Sequence, residues 1–301
     1  MHGAFDDALL ARSDIDVIDI CLPPFLHDDA IRRSLAAGKH VVCEKPLLGS
    51  LAAIDRAAAQ AQALGRVLMP IFQYRFGNGL RKARHLVESG AAGKAYLATV
   101  ETHWNRGAAY YDVRWRGRRK TELGGVFLGH AIHAHDMLTL LLGEVASVSA
   151  RVGVRVNEVE TEDCGGAVLE MADGSIAVLS ATLGSADEIS RLRLCFENVT
   201  IVSNLTPYMP SRDPWEFVPR APRDVAWLEA ALAGAPLGLE GYAGQFALFH
   251  HALAAEGAAP VELADARRSI ELVSAIYHSS HTGQRVALPL PQSHPVYEGW
   301  L

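Results

Sequence analysis

The chain has 301 residues, and at about 150 residues per domain this length predicts two domains. Half of the residues are hydrophobic, which excludes a disordered chain, and the formal net charge of −6 argues against a nucleic-acid-binding protein. No apolar run reaches the roughly 18 residues of a membrane span, and the first residues show no signal-peptide pattern. We therefore expect a cytoplasmic protein without a membrane or nucleic-acid partner. Four cysteines without C-x-x-C spacing favour buried, reduced thiols: Cys21, Cys43, Cys164 and Cys195.

The first third of the chain alternates strand and helix patterns. Gly38 suits the position that follows a helix, and Ser50 suits the cap that precedes one. Because strands that alternate with helices of this length form βαβ units, the patterns predict a parallel sheet. The predicted strands are 15–22, 40–43 and 66–72, and the predicted helices are 5–12, 28–37 and 50–64.

From about Tyr96 the pattern changes to consecutive strands with tight turns, which predicts an antiparallel sheet. Asp173-Gly174 predicts a type I′ turn, in which both central residues have positive φ. The predicted strands are 96–104, 146–156, 166–171, 176–182, 191–196 and 199–203, and helices return at 224–233, 242–255 and 263–280. The predicted fold class is α/β, with a parallel-sheet domain over residues 1–73 and an α+β domain over residues 74–301.

The tripeptide Glu44-Lys45-Pro46 directly follows the predicted strand 40–43. Ligands of open parallel sheets bind at the carboxyl ends of strands, so Lys45 is placed to polarise a carbonyl or to pass a proton. The alternative is a solvated loop lysine paired with Glu44. The turn at Pro23-Pro24 ends the preceding strand, either as a flat apolar wall for a planar ring or as an ordinary connection.

Segment 124–136 combines a glycine pair with three histidines and an aspartate. On a helix, His130 shares a face with His133, and His133 shares it with Asp136. A histidine oriented by a carboxylate is a general base near neutral pH. The alternatives are a metal site formed by His130, His133 and His135, a set of structural histidines, and chance clustering.

Segment 114–120 is strongly basic and precedes the glycine pair. A solvated loop is one interpretation, and an anion-attracting rim that includes Arg116 is the other, because guanidinium groups bind carboxylate and phosphate well. Tyr110, Tyr111 and Trp115 either stack on a sugar-like ring or pack together.

Taken together, segments 38–46, 124–136 and 274–289 resemble the Gfo/Idh/MocA family of nicotinamide-dependent oxidoreductases. The resemblance covers essentially the whole chain. It implies a Rossmann domain, followed by an α+β domain whose large, mostly antiparallel open sheet forms a homodimer or homotetramer. It also implies hydride transfer between NAD or NADP and a carbinol carbon of a sugar, cyclitol or sugar acid.

The resemblance also assigns residues. His133 would take the hydroxyl proton while Lys45 stabilises the developing alkoxide, and no metal is expected. Many relatives carry Asp four residues before the catalytic histidine, whereas Gly129 stands here, so we expect the adjacent His130 to substitute. The expected cofactor-binding residues are Pro23, Pro24, His27, Glu44, Lys45 and Gln73, and the expected substrate-binding residues are Arg75, Trp104, Arg116 and Asp136.

One departure from the family concerns the pyrophosphate-binding turn, because the 301 residues contain no G-x-G-x-x-G. We expect an N-terminally truncated, incomplete Rossmann domain without its first strands, in which strand 15–22 is an apolar edge and NAD(P) binding is severely weakened. Two alternative functions are a catalytically inactive relative that acts in binding or oligomerisation, and a metal-dependent lyase or hydrolase.

Overall fold

The computed structural model describes residues 5–221, 224–255 and 257–300, which form two sheets with helices packed against them. The first sheet has three parallel strands in the order β1-β2-β3, as predicted. Val17 lies opposite His40 and Val41 lies opposite Leu68. The elements of this part are α1 (Asp7–Leu10), β1 (Val17–Ile20), α2 (His27–Ala36), β2 (His40–Cys43), α3 (Leu51–Ala63) and β3 (Leu68–Pro70).

Local signals place the ends of these elements. Ser50 caps α3, since its hydroxyl oxygen accepts a hydrogen bond from the Ala53 N–H at 3.1 Å. Gly38 follows α2 with a φ of +76°, a conformation that side-chain-bearing residues rarely adopt. Strands β1 and β3 are shorter than predicted, because only the segments with a hydrogen-bonded neighbour are strands.

The second sheet has eight strands in the order β10-β9-β8-β4-β7-β6-β5-β11. Its pairs are antiparallel except for β4 with β7, where Leu97 lies opposite Ile176. This parallel pair joins two hairpin-rich parts of the chain and was not predicted. The strands are β4 (Ala95–Asn105), β5 (Val145–Gly153), β6 (Cys164–Met171), β7 (Ile176–Thr182), β8 (Gly184–Phe196), β9 (Val199–Val202), β10 (Glu216–Pro219) and β11 (Val286–Ala287).

The turn between β6 and β7 is a hairpin, but not of the predicted type. Gly174 has a φ of +86°, whereas Asp173 is not among the described non-glycine residues with positive φ. The type I′ prediction is therefore wrong, because that turn requires positive φ at both central positions.

The remaining helices are α4 (Asn78–Glu88), α5 (Ala108–Tyr111), α6 (Arg119–Glu122), α7 (Ile132–Leu142), α8 (Val225–Ala233), α9 (Gly241–Ala254) and α10 (Leu263–Thr282), with a π-helical turn at Val126–His130 before α7.

Helix α10 contacts both sheets, and helix α7 packs against α10 and the second sheet. α7 packs on β4, and α10 contacts β5, β3 and α3. Every residue of α7 is buried except Leu140 and Leu142, which are half-buried, so its polar side chains lie inside the protein. None of the described helices is both long and apolar enough to cross a membrane. All four cysteines are free, but only Cys43 is buried and Cys21 is exposed, so the prediction of buried thiols is wrong for Cys21.

Candidate functional site

A cavity of about 630 Å³ opens at the carboxyl end of β2, facing the π-helical turn and α7. It is formed by residues that lie far apart in the sequence. Lys45, His130 and His133 all line it, so the structure brings together the three residues expected to be catalytic. The lining residues are Leu22, Pro24, Glu44, Lys45, Pro46, Gln73, Tyr74, Trp104, Arg106, Tyr110, Trp115, Arg116, Glu122, Gly129, His130, His133, Tyr208 and Tyr242.

Lys45 reaches the cavity because β2 ends two residues before it. The Glu44 N–H still pairs with the Ile20 carbonyl at 3.0 Å, and a cis peptide bond joins Lys45 to Pro46. The ammonium group donates to the Gly129 carbonyl oxygen at 2.5 Å. Burial lowers the pKa of Lys45 below its usual 10.5, and Glu44 opposes that shift.

His133 lies on the first turn of α7 with its ring held by aromatic neighbours. It stacks on Tyr74, with centroids 4.5 Å apart, and meets the edge of Phe72 at 5.9 Å. Burial, and then the charge of Lys45, lower the pKa of His133 well below 6.5, so its imidazole is neutral at neutral pH. Its Nδ1 is buried without a hydrogen-bond partner among the described residues. These contacts thus hold a neutral imidazole at the wall of the cavity.

The carboxylate expected to orient His133 has another partner. Asp136 accepts two hydrogen bonds from Arg75, from Nε at 2.7 Å and from Nη2 at 2.6 Å, and Nη1 of Arg75 lies 2.8 Å from Asp265. Although burial opposes charge, the two aspartates raise the pKa of Arg75. Neither Arg75 nor Asp136 lines the cavity, so the structure does not bring these two expected substrate-binding residues to it.

His130 lies where the π-helical turn meets α7. Its Nε2 is 3.1 Å from the Tyr110 hydroxyl, and its ring meets the edge of Trp104 at 5.4 Å. Its Nδ1 is buried and has no partner among the described residues. Burial lowers the pKa of His130 well below 6.5, and Lys45, Arg106 and Arg116 lower it further. His130 is thus a neutral ring close to three cations.

Glu162 holds the start of the π-helical turn. Its carboxylate accepts the N–H of Gly125 at 2.8 Å and of Phe127 at 3.1 Å, and the Tyr277 hydroxyl donates to it at 2.7 Å. Burial raises the pKa of Glu162 to about 7. A Cβ at Gly125 would lie 1.7 Å from the Glu162 carbonyl oxygen, so this close approach requires glycine. Glu162 and Tyr277 were not among the predicted functional residues. The only local sign of the close contact with Glu162 was the pair Gly124-Gly125.

Two of the expected cofactor-binding residues do not line the cavity. Pro23 lies in the turn before the 3₁₀ segment Pro24–Leu26. His27 is fully buried, and its ring nitrogens lie 2.8 Å from the Leu22 carbonyl oxygen and 2.9 Å from that of Pro46. His27 thus ties the end of β1 to the turn after β2, while the other four expected residues, Pro24, Glu44, Lys45 and Gln73, line the cavity.

Two family models of one family match most of the chain. The model described as "Oxidoreductase family, NAD-binding Rossmann fold" matches residues 4–72, and that described as "GFO/IDH/MocA C-terminal domain" matches residues 80–202. The chain belongs to the Gfo/Idh/MocA family. This confirms the resemblance drawn from segments 38–46, 124–136 and 274–289, and the observed sheets agree with the expected fold class.

Members of the Gfo/Idh/MocA family similar to this chain include inositol 2-dehydrogenase of Rhizobium meliloti, 32% identical over 58% of this chain and 52% of that protein. An uncharacterised Bacillus subtilis oxidoreductase, YrbE, is 32% identical over 57% of this chain and 50% of its own length. The chain thus spans about half the length of the curated relatives that it matches. The WlbA dehydrogenase of Bordetella pertussis, solved with NADH and UDP-GlcNAcA, has a TM-score of 0.82 and 26% identity over 95% of this chain and 83% of that chain.

The Gfo/Idh/MocA family implies a nicotinamide cofactor. Leu22 and Pro24 add apolar surface to the cavity lining, which suits the flat nicotinamide ring. Gln73 is buried, and its Oε1 has no hydrogen-bond partner among the described residues. A carboxamide carries the N–H donors that this oxygen lacks, so the residues present fit the nicotinamide end of the cofactor.

The cavity is also lined by residues that were not among the predicted site residues. Arg106, Tyr208 and Tyr242 come from the end of β4, a loop and α9. The Tyr242 hydroxyl donates to Glu44 at 2.7 Å, and the Arg106 guanidinium lies 5.0 Å from the Trp104 ring. Arg106 lies shortly before the aromatic and basic residues of segment 110–120, whereas no sequence signal marked Tyr208 or Tyr242. Trp104 and Arg116, which were expected to bind substrate, also line the cavity. His135 instead packs on Phe127 and does not line the cavity, so the three histidines do not face one metal position.

Proposed function

We propose that the protein is an NAD(P)-dependent oxidoreductase that transfers a hydride between nicotinamide and a carbinol carbon of a sugar, cyclitol or sugar acid. One observation carries the proposal: Lys45 and His133, which are 88 residues apart in the sequence, line the same cavity. Gln73 lines it too, and its Oε1 has no hydrogen-bond partner among the described residues. Family membership supports the same chemistry.

His133 is the proposed proton acceptor. Its imidazole is neutral at neutral pH, and a substrate hydroxyl in the cavity can therefore lose its proton to it. The Lys45 ammonium then stabilises the oxygen as it becomes alkoxide-like, because a positive charge in a partly buried cavity interacts strongly with a developing negative charge. Leu22, Pro24 and Gln73 would hold the nicotinamide, which would supply hydride-transfer chemistry at the carbinol carbon.

His130 and the aromatic rings complete the proposed site. The Tyr110 hydroxyl and His130 form a polar pair beside Lys45, while Tyr74 fixes the ring plane of His133. We propose that His130 orients the substrate hydroxyl towards His133. Trp104 and Trp115 provide flat apolar surfaces of the kind on which sugar rings pack.

The test is a dehydrogenase screen of the 301-residue chain with sugars, cyclitols and sugar acids, in which the NAD⁺ or NADP⁺ concentration is raised until the rate no longer increases. Reduced nicotinamide is followed by its absorbance. Turnover with a substrate of this class, abolished in the Lys45→Ala and His133→Ala variants, is the expected result. Absence of turnover with every substrate, in a protein that binds the cofactor, would contradict the proposal and would favour the catalytically inactive alternative.

We also propose that this chain binds NAD(P) weakly, because no G-x-G-x-x-G turn is present to donate backbone N–H groups to the pyrophosphate. Calorimetric titration with NADH and NADPH measures this directly. A dissociation constant above about 1 mM is expected, and a micromolar constant for either cofactor would contradict it. The same titration decides between NAD and NADP.

A further proposal is a homodimer or homotetramer formed through the eight-stranded sheet. Leu97, Val168, Ile176 and Val178 are exposed on one face, where Leu97 lies opposite Ile176 and Val168 opposite Val178. Light scattering should show an oligomer that dissociates in a Val168→Glu, Val178→Glu variant but not in Val225→Glu, an exposed position on α8.

The four free cysteines support a cytoplasmic location.

A further inference from the structure

Two arginines approach the ring of Tyr110 beside His130. The guanidinium carbon of Arg116 lies 3.9 Å from the centroid of the Tyr110 ring and 4.4 Å from that of Trp115. The guanidinium carbon of Arg106 lies 5.4 Å from the centroid of Tyr110. Like charges this close repel each other, so each needs a compensating anion.

The two arginines differ in how closely a carboxylate pairs with each guanidinium group. Arg106 forms an ion pair with Glu188 at 2.5 Å. Arg116 donates a hydrogen bond to the neutral Tyr110 hydroxyl. It reaches a carboxylate oxygen only at 3.8 Å, in Glu122, and that carboxylate already accepts a hydrogen bond from the Gly117 N–H. Arg116 therefore faces the cavity with its charge poorly paired among the described residues.

The charge of Arg116 also acts on Lys45, whose pKa it helps to lower. Lys45 shares the cavity and donates only to a neutral carbonyl oxygen in the contacts of its ammonium group. Burial and Arg106 lower the pKa of Arg116, while Glu122 opposes that shift. Glu44, the other carboxylate lining the cavity, accepts the Tyr242 hydroxyl. A bound anion would offset the unpaired charge and would ease protonation of the neighbouring histidines.

We propose that Arg116 binds an anionic group on the substrate, so that the polyol taken by this cavity is an acidic sugar or cyclitol that carries a carboxylate or a phosphate. The inference rests on the proposed function and narrows its substrate class. The planar guanidinium fork can hold two oxygens of either group, while the adjacent Tyr110 and Trp115 rings restrict the directions from which they approach. Arg106 adds positive charge near the same position, but its guanidinium group is already paired with Glu188.

Binding of three probes to the wild-type chain tests the inference without need of turnover. Glucuronate, glucose 6-phosphate and glucose are titrated at constant ionic strength, with tryptophan fluorescence as the signal, since Trp104 and Trp115 line the cavity. At least one anionic probe should bind on the order of tenfold more tightly than glucose. Comparison of the two anionic probes distinguishes a carboxylate from a phosphate site.

Substitutions then assign the preference to Arg116. Arg116→Gln should remove most of the tenfold preference, and Arg116→Lys should keep only part of it, because a point charge replaces the fork. Arg114→Gln, an exposed position in the same basic segment, is the matched control and should keep it. If Arg116→Gln does not fold, judged by circular dichroism, the Arg116→Lys variant carries the test.

The outcomes separate the two proposals. Equal affinity of the wild type for glucose and both anionic probes overturns the inference, and oxidation of neutral sugars alone would then leave the proposed function intact. An Arg116-dependent anionic preference without turnover of any acidic polyol, in a chain with bound cofactor, supports the anion site and contradicts the proposed function. A preference that persists in Arg116→Gln assigns the anion to another residue and overturns the inference.

Discussion

The Lys45 ammonium donates a hydrogen bond to the Gly129 carbonyl oxygen across 2.5 Å. This contact joins the end of β2 to the π-helical turn that precedes His133. It places a cation from the first sheet beside the histidines of the second part of the chain, and it explains why Lys45 lowers the pKa of both His130 and His133.

If Lys45 and His133 perform the proposed proton chemistry, each alanine substitution should lower kcat by about 100-fold or more with a smaller change in KM. Steady-state kinetics on a substrate found in the screen checks this. Lys94→Ala and His250→Ala, both at exposed positions, are the controls and should leave kcat unchanged. A rise in KM with kcat intact would show that Lys45 or His133 acts in binding only.

The activity of the wild type should also decline on the alkaline side at a pH below 10.5. Burial lowers the pKa of Lys45, so its ammonium loses its proton earlier than an exposed lysine does. A pH profile of kcat measures the position of this limb. A profile that stays flat up to pH 10.5 contradicts the role given to the charge of Lys45.

Asp136→Ala should lower the free energy of unfolding by about 3 to 5 kcal/mol, because it leaves the buried Arg75 with only Asp265 as a partner. Urea unfolding gives the value. Asp29→Ala, which removes an exposed partner of Arg32 and Arg33, should cost less than about 1 kcal/mol. Similar losses in the two variants would show that the buried pair has no special role in stability.

Acid should destabilise the protein through its buried neutral histidines. The pKa of His135 is lowered by burial to about 3 in the folded chain, from 6.5, so its contribution is present above pH 6.5 and is lost as pH falls towards 3. Between these two pH values, each such histidine lowers the free energy of unfolding by about 1.4 kcal/mol for each pH unit of acidification. Glu162 acts in the opposite sense: its contribution is present below pH 4.5 and is lost as pH rises through about 7.

Substitution of His135 isolates that slope. Compared with the wild type, His135→Leu should gain in relative stability by about 1.4 kcal/mol for each pH unit below 6.5, measured by urea unfolding between pH 7.5 and 4.5. A constant difference between the two proteins over this range would mean that His135 is already protonated, or is exposed, in the folded chain.

Gly125→Ala should destabilise the chain by about 3 kcal/mol, because the new Cβ would overlap the Glu162 carbonyl oxygen at 1.7 Å. Thermal unfolding provides the comparison. Gly153→Ala is the matched control, since nothing lies within 4 Å of its Cβ position. Equal stability of the two variants would show that the contact between the π-helical turn and Glu162 is not tight.

The sequence determined those features that depend on neighbouring residues. The strand β2 was predicted at its observed bounds, and Ser50 and Gly38 marked helix ends as expected, because capping and backbone φ depend on one or two residues. The resemblance of the motifs around Lys45 and His133 to the Gfo/Idh/MocA family pointed to two residues that line the cavity. Hydrophobic periodicity likewise predicted the helices near residues 224–282.

Only the tertiary structure decided which charges meet. Asp136 was expected beside His133, one helical turn away, yet it binds Arg75, 61 residues earlier in the chain. Arg116 has the same local sequence signal whether it lies in a solvated loop or in the cavity, and its poor pairing with Glu122 exists only in the folded chain. The physical reason is that helix and strand formation follow from short-range backbone and side-chain preferences, whereas the partner of a buried charge depends on which distant segments the core packs together.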